Sequence, residues 1–476
     1  MTAVDQSQST APDTDSAEQA LYEVRKKIYP RAVTGKFAWS RWFFVWATQL
    51  VFYGMPWLSW NGRQAVLFDL VHRKFYIFGL VFWPQDIVYL TVLLIISAYS
   101  LFLFTAVGGR LWCGYACPQT VYTEMFMWIE RQIEGDRMKR MKLDKSPLSL
   151  HKIAIKAAKH GAWVALALWT GFTFVGYFTP VTELAAKVGS WSLGPWETFW
   201  IFFYGFATYG NAGWMREQVC KYMCPYARFQ SVMFDRDTLI ISYDTERGEP
   251  RGARGKKVDY KAKGLGDCVD CNICVQVCPT GIDIRKGLQY ECIGCAACID
   301  GCNQVMDKMG YPRGLIRYSS LNALDKHFDF AAMVKRVVRP RILIYTAILW
   351  TIIIVAALSL GNRVPVKVDV IRDRIAMAAP DDPIVENVYR LQVMNTSEVA
   401  RQFRVSVSGL DGLQLESETQ PITIEGATQR VIPVRVLVGK QQTRPGANRI
   451  YFKVETVGEG KPIVIDEKAT LIAPKQ

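Results

Sequence analysis

The chain has 476 residues and a formal net charge of +14. Half of its residues are apolar, which is rich for a soluble protein and lean for a pure membrane bundle, so the composition predicts a few membrane spans together with water-exposed domains. Because lysine and arginine flank the apolar stretches as orientation signals, we expect membrane lipid and no nucleic acid among the partners.

Five apolar stretches are each long enough to cross a bilayer core of about 30 Å, which takes roughly 20 residues. They are Phe37–Trp60, Asp86–Gly108, His160–Val181, Trp196–Met215 and Ile342–Leu360. The polar residues 1–36 lack the pattern of a cleavable signal peptide and are predicted to form a flexible cytoplasmic tail. The sequence therefore predicts four transmembrane helices within 37–215, a segment 216–341, and a fifth helix over 342–360.

Basic residues are concentrated in two connecting segments. One follows the second apolar stretch, from Arg110 to Lys156, and the other is 216–341, whereas the loops after the first and third stretches carry few basic residues. Cytoplasmic loops carry the excess of lysine and arginine. We therefore expect a multi-pass protein of a bacterial inner membrane, with its N-terminus and 216–341 in the cytoplasm and its C-terminus in the periplasm.

Eight of the twelve cysteines form two tandem runs within the segment 216–341. The runs are Cys268-x2-Cys271-x2-Cys274-x3-Cys278-Pro279 and Cys292-x2-Cys295-x2-Cys298-x3-Cys302. In this motif the fourth cysteine of each run ligates the other cluster, so we assign Cys268, Cys271, Cys274 and Cys302 to one [4Fe–4S] cluster and Cys292, Cys295, Cys298 and Cys278 to a second. The alternative is zinc, which needs two pairs of ligands and not two overlapping sets of four. We expect a ferredoxin-like domain over about 259–310, preceded by a mobile Gly/Lys/Arg-rich connector at Asp244–Gly266.

The other four cysteines form two matching units at the cytoplasmic ends of predicted spans. They are Cys113-x3-Cys117-Pro118 after the second span and Cys220-x3-Cys224-Pro225 after the fourth. Thiols at i and i+4 share one face of a helix. Four such thiols could bind a soft ion such as Cu(I), cycle between thiol and disulfide, or ligate another cofactor, and the alternative is that they pack as small apolar side chains.

Beyond the fifth span, residues 361–476 contain neither cysteine nor histidine. Short runs of alternating apolar and polar residues are separated by Gly, Pro, Asn and Asp. The runs are Val364–Val370, Tyr389–Met394, Arg404–Ser408, Arg430–Val438 and Arg449–Val454. This pattern predicts a β-sandwich that serves in docking or as a scaffold.

Nearly the whole chain resembles one known family, the cytochrome c oxidase accessory proteins called CcoG, FixG or RdxA. The most distinctive stretches are Gly109-Arg-Leu-Trp-Cys-Gly-Tyr-Ala-Cys-Pro-Gln-Thr-Val-Tyr-Thr-Glu124 and Glu217-Gln-Val-Cys-Lys-Tyr-Met-Cys-Pro-Tyr-Ala-Arg-Phe-Gln230. The resemblance implies a multi-domain membrane protein with a helical bundle of about five spans, a ferredoxin-like domain with two [4Fe–4S] clusters, and an immunoglobulin-like β-sandwich.

The resemblance also implies a function in assembling the cbb3-type haem–copper oxidase. In that function the protein acts as a cupric reductase, with transient copper at the catalytic thiols Cys113, Cys117, Cys220 and Cys224. The implied partners are copper ions, copper-handling or oxidase-assembly proteins, and an electron donor that the sequence does not identify. Two other functions stay open, namely a quinol-linked respiratory electron-transfer subunit and a copper chaperone whose clusters are structural.

Overall fold

A computed structural model describes residues 27–373, 383–418, 421–458 and 462–473. The chain forms two compact units, each gathered from three parts of the sequence. The first contains the described residues of Met1–Val45, Phe104–Val164 and Gly210–Val337, and the second those of Trp46–Leu103, Ala165–Tyr209 and Val338–Gln476. All twelve cysteines therefore belong to the first unit.

Helices occupy all five stretches predicted to span a membrane. They run over Lys36–Gly54, Ile87–Gly108, Leu150–Val175, Pro195–Thr208 and Pro340–Gly361. Within the described residues, two helical segments are long and apolar enough to cross a bilayer, Pro84–Gly108 and Pro340–Gly361. Each has a mean hydropathy of 2.4, and at most 11% of either apolar window is buried inside the protein. Exposed apolar helices of this length are candidate membrane spans.

The other three helices do not meet that criterion, for reasons visible in their residues. Lys36–Gly54 carries Arg41 and many aromatic side chains, Leu150–Val175 begins with a basic turn, and Pro195–Thr208 has only 14 residues of regular α-helix. Two candidate spans are thus observed, and the prediction of five is not confirmed.

The first unit is organised around a two-stranded antiparallel sheet and one helix. Strand Ile240–Tyr243 pairs with Ile316–Ser319, and the sheet packs against helix Ala297–Met309. The core between them buries Ile241, Tyr243, Ile299, Met306, Leu315 and Ile316 together with cysteines of both runs. The remaining α-helices of this unit are Leu111–Tyr115, Pro118–Glu134, Arg137–Lys145, Pro225–Met233, Thr245–Gly248, Ile273–Gln276, Leu321–Asp325 and Phe330–Lys335. Ile284–Lys286 is a 3-10 helix, and Tyr209–Met215 and Val219–Met223 are π-helical.

The segment predicted as a mobile connector is held in place, which corrects that expectation. The Arg254 guanidinium lies 4.6 and 5.4 Å from the ring centroids of Tyr260 and Tyr311, which pack against each other with their centroids 4.6 Å apart. It also donates to the carbonyl oxygens of Cys268 at 3.1 Å and Gly266 at 2.6 Å. Cation–π and hydrogen-bonding contacts fix a segment whose composition alone indicated mobility.

Residues 27–35 of the predicted tail are extended and bound to the first unit. The Tyr29 hydroxyl and the Lys27 ammonium both donate to Asp144 Oδ2, at 2.7 and 2.6 Å, and the Arg31 amide donates to the Gln276 carbonyl at 2.8 Å. The rest of the predicted tail, 1–26, lies outside the described residues.

The second unit contains a β-sandwich of two four-stranded antiparallel sheets. In spatial order, one sheet has strands Ile422–Ile424, Arg401–Ser408, Gly446–Val457 and Val464–Ala473, and the other has Gln414–Glu416, Gln429–Gly439, Ile384–Asn395 and Val366–Arg372. Alternate residues of each strand point inward, so Tyr389, Phe403, Ile432, Ile450 and Phe452 are fully buried between the sheets. The predicted sandwich is confirmed.

A small sheet on the loop after the first helix packs against this sandwich. Its strands are Val66–Asp69, Lys74–Ile77 and Leu80–Phe82, next to a short pair, Ser59–Trp60 with Arg63–Gln64. Val81 and Trp83 share an apolar cluster with Met394 of the sandwich, and Arg63 Nη2 lies 2.6 Å from Glu398 Oε1. The 3-10 helices Met55–Trp57, Pro84–Asp86 and Lys440–Gln442 and the helix Val181–Gly189 complete the second unit.

Candidate metal centres

The first predicted ligand set lines one cavity. Cys268, Cys271, Cys274 and Cys302 line it together with apolar side chains such as Leu315. Helix Ala297–Met309 carries Cys302, whereas the other three thiols come from the loop and short helix around Ile273. The fourth cysteine of the second run thus completes the cavity of the first run.

The second predicted ligand set lines a second cavity. Its thiols are Cys292, Cys295, Cys298 and Cys278, and Cys274 contributes to its wall as well. Because Cys274 borders both cavities, they are separated by little more than one side chain. The structure therefore brings together both crossed sets that the spacing predicts.

Equivalent backbone turns shape the two cavities. Asn272 and Ala296 each follow the second cysteine of a run, and both are left-handed, with φ of 56° and 58° and ψ of 15°. This conformation costs an ordinary residue about 1–2 kcal/mol, so a local requirement must offset it. The next residue in each case begins a helix, and in the second run the Ala297 N–H is directed towards Cys295.

Burial is the main cause of the raised pKa values of these thiols. It raises the pKa of Cys292 and Cys302 to about 12, and that of Cys295 to about 11, and neighbouring thiols act in the same direction. Backbone N–H groups of Gly294 and Ala297 oppose the rise by bonding to sulfur. The iron-free thiols therefore hold their protons at neutral pH, and a metal group must displace them.

The donor sets fit [4Fe–4S] clusters. Across the described ranges, no three Cys, His, Asp or Glu side chains converge closely enough for one metal ion. A cube holds its four thiolates farther apart than one zinc ion does, and buried all-thiol cavities with N–H donors suit it.

Three contacts around the second cavity were missed by sequence reasoning. Arg41 Nη1 donates to the Cys295 carbonyl at 2.7 Å, and Arg110 Nη1 donates to the Cys292 carbonyl at 3.0 Å. The Tyr318 hydroxyl donates to the Gly294 carbonyl at 2.7 Å. Arg41 and Arg110 are buried, so they place positive charge beside a site that would hold an anionic group. Of these three residues, only Arg110 could have been singled out from the sequence, because it lies inside a distinctive motif.

The two Cys-x3-Cys-Pro units have similar local structures, each with its second cysteine at the N-cap of a helix that starts with proline. Cys113 lies in helix Leu111–Tyr115, and Cys117 is the N-cap of helix Pro118–Glu134. Likewise Cys220 lies in the π-helical turn Val219–Met223, and Cys224 is the N-cap of helix Pro225–Met233. Proline at the first helical position is favoured because it has no N–H to leave unpaired.

The two units interlock through hydrogen bonds in both directions. The Cys113 thiol donates to Gln230 Oε1 at 3.4 Å, and Arg110 Nη2 donates to the Ala227 carbonyl at 2.7 Å. In return, Gln119 Nε2 donates to the Arg216 carbonyl at 3.1 Å. Burial and the three other thiols of the two units together raise the pKa of Cys220 to about 12. All four thiols thus belong to one site, which we call the four-thiol site.

The four-thiol site lies directly against the loop of the second cavity. Cys113 and Cys220 pack on the apolar cluster that contains Ile293 and Cys295. A methyl group built on Gly114 would lie 2.8 Å from the backbone carbon and oxygen of Gly294. The two backbones are therefore in contact, with no side chain between them.

Comparison with known proteins places these features in a family. Residues 215–321 match the model of a 4Fe-4S dicluster domain, residues 90–134 match a 4Fe-4S binding domain, and residues 356–474 match the IG-like fold at the C-terminus of FixG. These matches show an iron–sulfur electron-transfer protein with an immunoglobulin-like C-terminal domain.

Three curated proteins are similar over most of their length. The nitrogen fixation protein FixG of Rhizobium meliloti is 38% identical, over 88% of this chain and 87% of its own. The proteins RdxA and RdxB of Cereibacter sphaeroides are 38% and 37% identical, covering 87% and 95% of this chain and 88% and 98% of theirs. The chain belongs to the FixG/RdxA family.

Proposed function

We propose that this protein reduces Cu(II) to Cu(I) for the assembly of a cbb3-type cytochrome c oxidase. The observation that carries the proposal is the backbone contact between Gly114 and Gly294, which joins the four-thiol site to the second cavity. A chain that belongs to the FixG/RdxA family, with thiols in that position, offers both an electron store and a soft metal contact.

The eight cysteines of the two runs would hold the two clusters, in the crossed sets given above. When bound, the clusters supply storage and transfer of one electron at a time. Arg41, Arg110 and Tyr318 hold the carbonyl groups of the loop Cys292–Cys295, and so fix the side of the loop that faces the four-thiol site.

Cupric ion is the proposed substrate, and Cys113, Cys117, Cys220 and Cys224 are its proposed contacts. One electron delivered at these thiols converts one Cu(II) to one Cu(I), and a reduced protein or a quinol supplies that electron from outside. Soft thiolate ligands favour Cu(I) over Cu(II), which makes the reduction easier. Copper-handling or oxidase-assembly proteins would then take the cuprous ion.

We also propose five spans, with the cysteines in the cytoplasm and the sandwich in the periplasm. The basic segments support this orientation. The packing within the second unit supports it too, because the loop predicted to be periplasmic, 61–85, contacts the sandwich through Arg63 and Trp83.

The test is cupric reduction by the anaerobically purified full chain after reduction with dithionite. We expect the Cu(II) EPR signal to disappear as the clusters reoxidise, one copper for each electron lost. The double variant Cys113→Ser/Cys220→Ser should reduce Cu(II) at least tenfold more slowly while the ferredoxin signals remain, and Ser231→Ala, exposed on helix Pro225–Met233, serves as the control.

Clusters that stay reduced beside intact Cu(II) would contradict the proposal. Cluster reduction by a quinol would then favour the respiratory subunit, whereas copper binding with redox-inactive clusters would favour the chaperone.

A further inference from the structure

Residues 90–134, which match a 4Fe-4S binding domain, contain too few cysteines to hold a cluster alone. That range contains two cysteines, Cys113 and Cys117. A [4Fe–4S] cube takes four protein ligands. If this part of the chain binds a cube, two more thiols must come from elsewhere.

The structure supplies those two thiols. Eight of the twelve cysteines line the two ferredoxin cavities, which leaves Cys220 and Cys224 as partners for Cys113 and Cys117. Hydrogen bonds and a buried ion pair hold the two Cys-x3-Cys-Pro units together. The ion pair joins Glu130, on helix Pro118–Glu134, to Arg216 at 2.9 Å. The juxtaposition is therefore part of the core and not a surface contact.

The four-thiol site shares one property with the two ferredoxin cavities. In the part of the chain that the structure describes, no three potential ligands converge on a point, either at the ferredoxin cavities or here. Cys117 and Cys224 are the N-cap residues of helices Pro118–Glu134 and Pro225–Met233. The N-terminal end of a helix favours a nearby anionic group, as a cluster with four thiolate ligands would be.

Two buried donors at this site have no acceptor. Gln230 is completely buried and its Nε2 has no hydrogen-bond partner in the described structure, although its Oε1 accepts from Cys113. Arg110, 7% exposed, likewise has an unpaired Nε. A buried N–H without a partner costs about 1–3 kcal/mol, and cluster sulfur is an acceptor that would remove this cost.

We propose that Cys113, Cys117, Cys220 and Cys224 ligate a third [4Fe–4S] cluster. Gln230 and Arg110 donate to its sulfur atoms, and the four thiols lose four protons as it is inserted. The inference rests on the proposed function and revises it at one point, because the four thiols hold this cluster instead of contacting copper directly. Cu(II) is then reduced at the edge of the cluster. The cluster assignment itself does not require copper to be the acceptor.

The test is the iron and acid-labile sulfide content of the full chain, purified anaerobically in detergent. We expect about twelve iron atoms per chain, four for each of three cubes. The variant Cys117→Ser/Cys224→Ser should fall to about eight while the EPR signals of the ferredoxin pair persist. Ser231→Ala should retain about twelve.

Mössbauer spectroscopy of the unmodified chain counts the clusters without any variant, so a variant that fails to fold leaves the proposal testable. About eight iron atoms in the unmodified chain would overturn it, as would a variant that keeps all twelve. Copper reduction measured on the same samples separates the two proposals. Eight iron atoms with thiol-dependent copper reduction would leave the proposed function standing, and twelve without copper reduction would leave only the third cluster.

Discussion

At the scale of single residues, the crossed lining of the two cavities gives each fourth cysteine a distinct effect. Cys302→Ser should alter the cluster held by the first run, and Cys278→Ser the cluster held by the second, because each lines the cavity of the other run. We expect each variant to lose or shift one of the two ferredoxin EPR signals and to keep the other.

EPR of the dithionite-reduced protein measures this, and Ser231→Ala again serves as the control. If Cys302→Ser affected the same signal as Cys292→Ser, the runs would be uncrossed and the ligand assignment wrong.

Gly114 permits the contact between the four-thiol site and the second cavity. In Gly114→Ala the added methyl group would overlap the Gly294 backbone, which cannot rotate away as a side chain would. We expect a loss of stability of about 1–3 kcal/mol, together with slower reoxidation of the clusters by Cu(II). Thermal unfolding and stopped-flow kinetics measure the two effects.

Gly161→Ala is the matched control, because its methyl group would meet nothing within 4 Å and lies inside helix Leu150–Val175. That change should be neutral or stabilise by up to ~1 kcal/mol. Equal effects at the two glycines would show that the contact at Gly114 has no special importance.

At the scale of elements, a buried carboxylate links a candidate span to the sandwich within the second unit. Asp86, 5% exposed, precedes helix Ile87–Gly108 and pairs with Arg363 at 2.5 Å and with Lys367 on strand Val366–Arg372. Removing one partner of a buried ion pair costs about 3–5 kcal/mol. Asp86→Asn should therefore lower the unfolding temperature of this unit by several degrees.

The control for Asp86 is Glu386→Gln, which breaks a surface pair with Arg435 at 3.6 Å and should cost less than about 1 kcal/mol. Calorimetry of the purified protein compares the two. A larger loss in the surface variant would contradict this assignment of the buried pair.

Sequence patterns predicted those elements that are determined by residues close together in the chain. The spacing of the two cysteine runs indicates which thiols share a cavity, and alternation located five strands of the sandwich within a few residues of their observed bounds. Strands Ile240–Tyr243 and Ile316–Ser319, which enclose the cluster loops, were missed because each has four residues and finds its partner far along the chain.

Long-range contacts were beyond sequence reasoning for the same reason. Arg41 and the Cys295 carbonyl are 254 residues apart, and Arg110 and the Cys292 carbonyl are 182 apart. No local pattern pairs such positions. The joining of the two Cys-x3-Cys-Pro units was suggested only by their matching form, and the structure adds the hydrogen bonds that unite them.

At the scale of the whole molecule, the proposed orientation predicts which parts a protease reaches. In spheroplasts, protease should remove a tag at the C-terminus and spare one at the N-terminus, because the sandwich is proposed to be periplasmic. In inverted vesicles the pattern should reverse. Immunoblotting of both tags measures it, and loss of the N-terminal tag from intact spheroplasts would contradict the orientation.

The crossed cavities also constrain the biogenesis of the protein. A chain leaves the ribosome from its N-terminus, so Cys268, Cys271 and Cys274 emerge first, yet their cavity is completed by Cys302, the last cysteine of the sequence. The other cavity is complete only four residues earlier, at Cys298. Neither cavity can receive a full cube from a nascent chain that ends before these positions. Full ligation of either cluster therefore has to wait until nearly all of the ferredoxin cysteines have been synthesised.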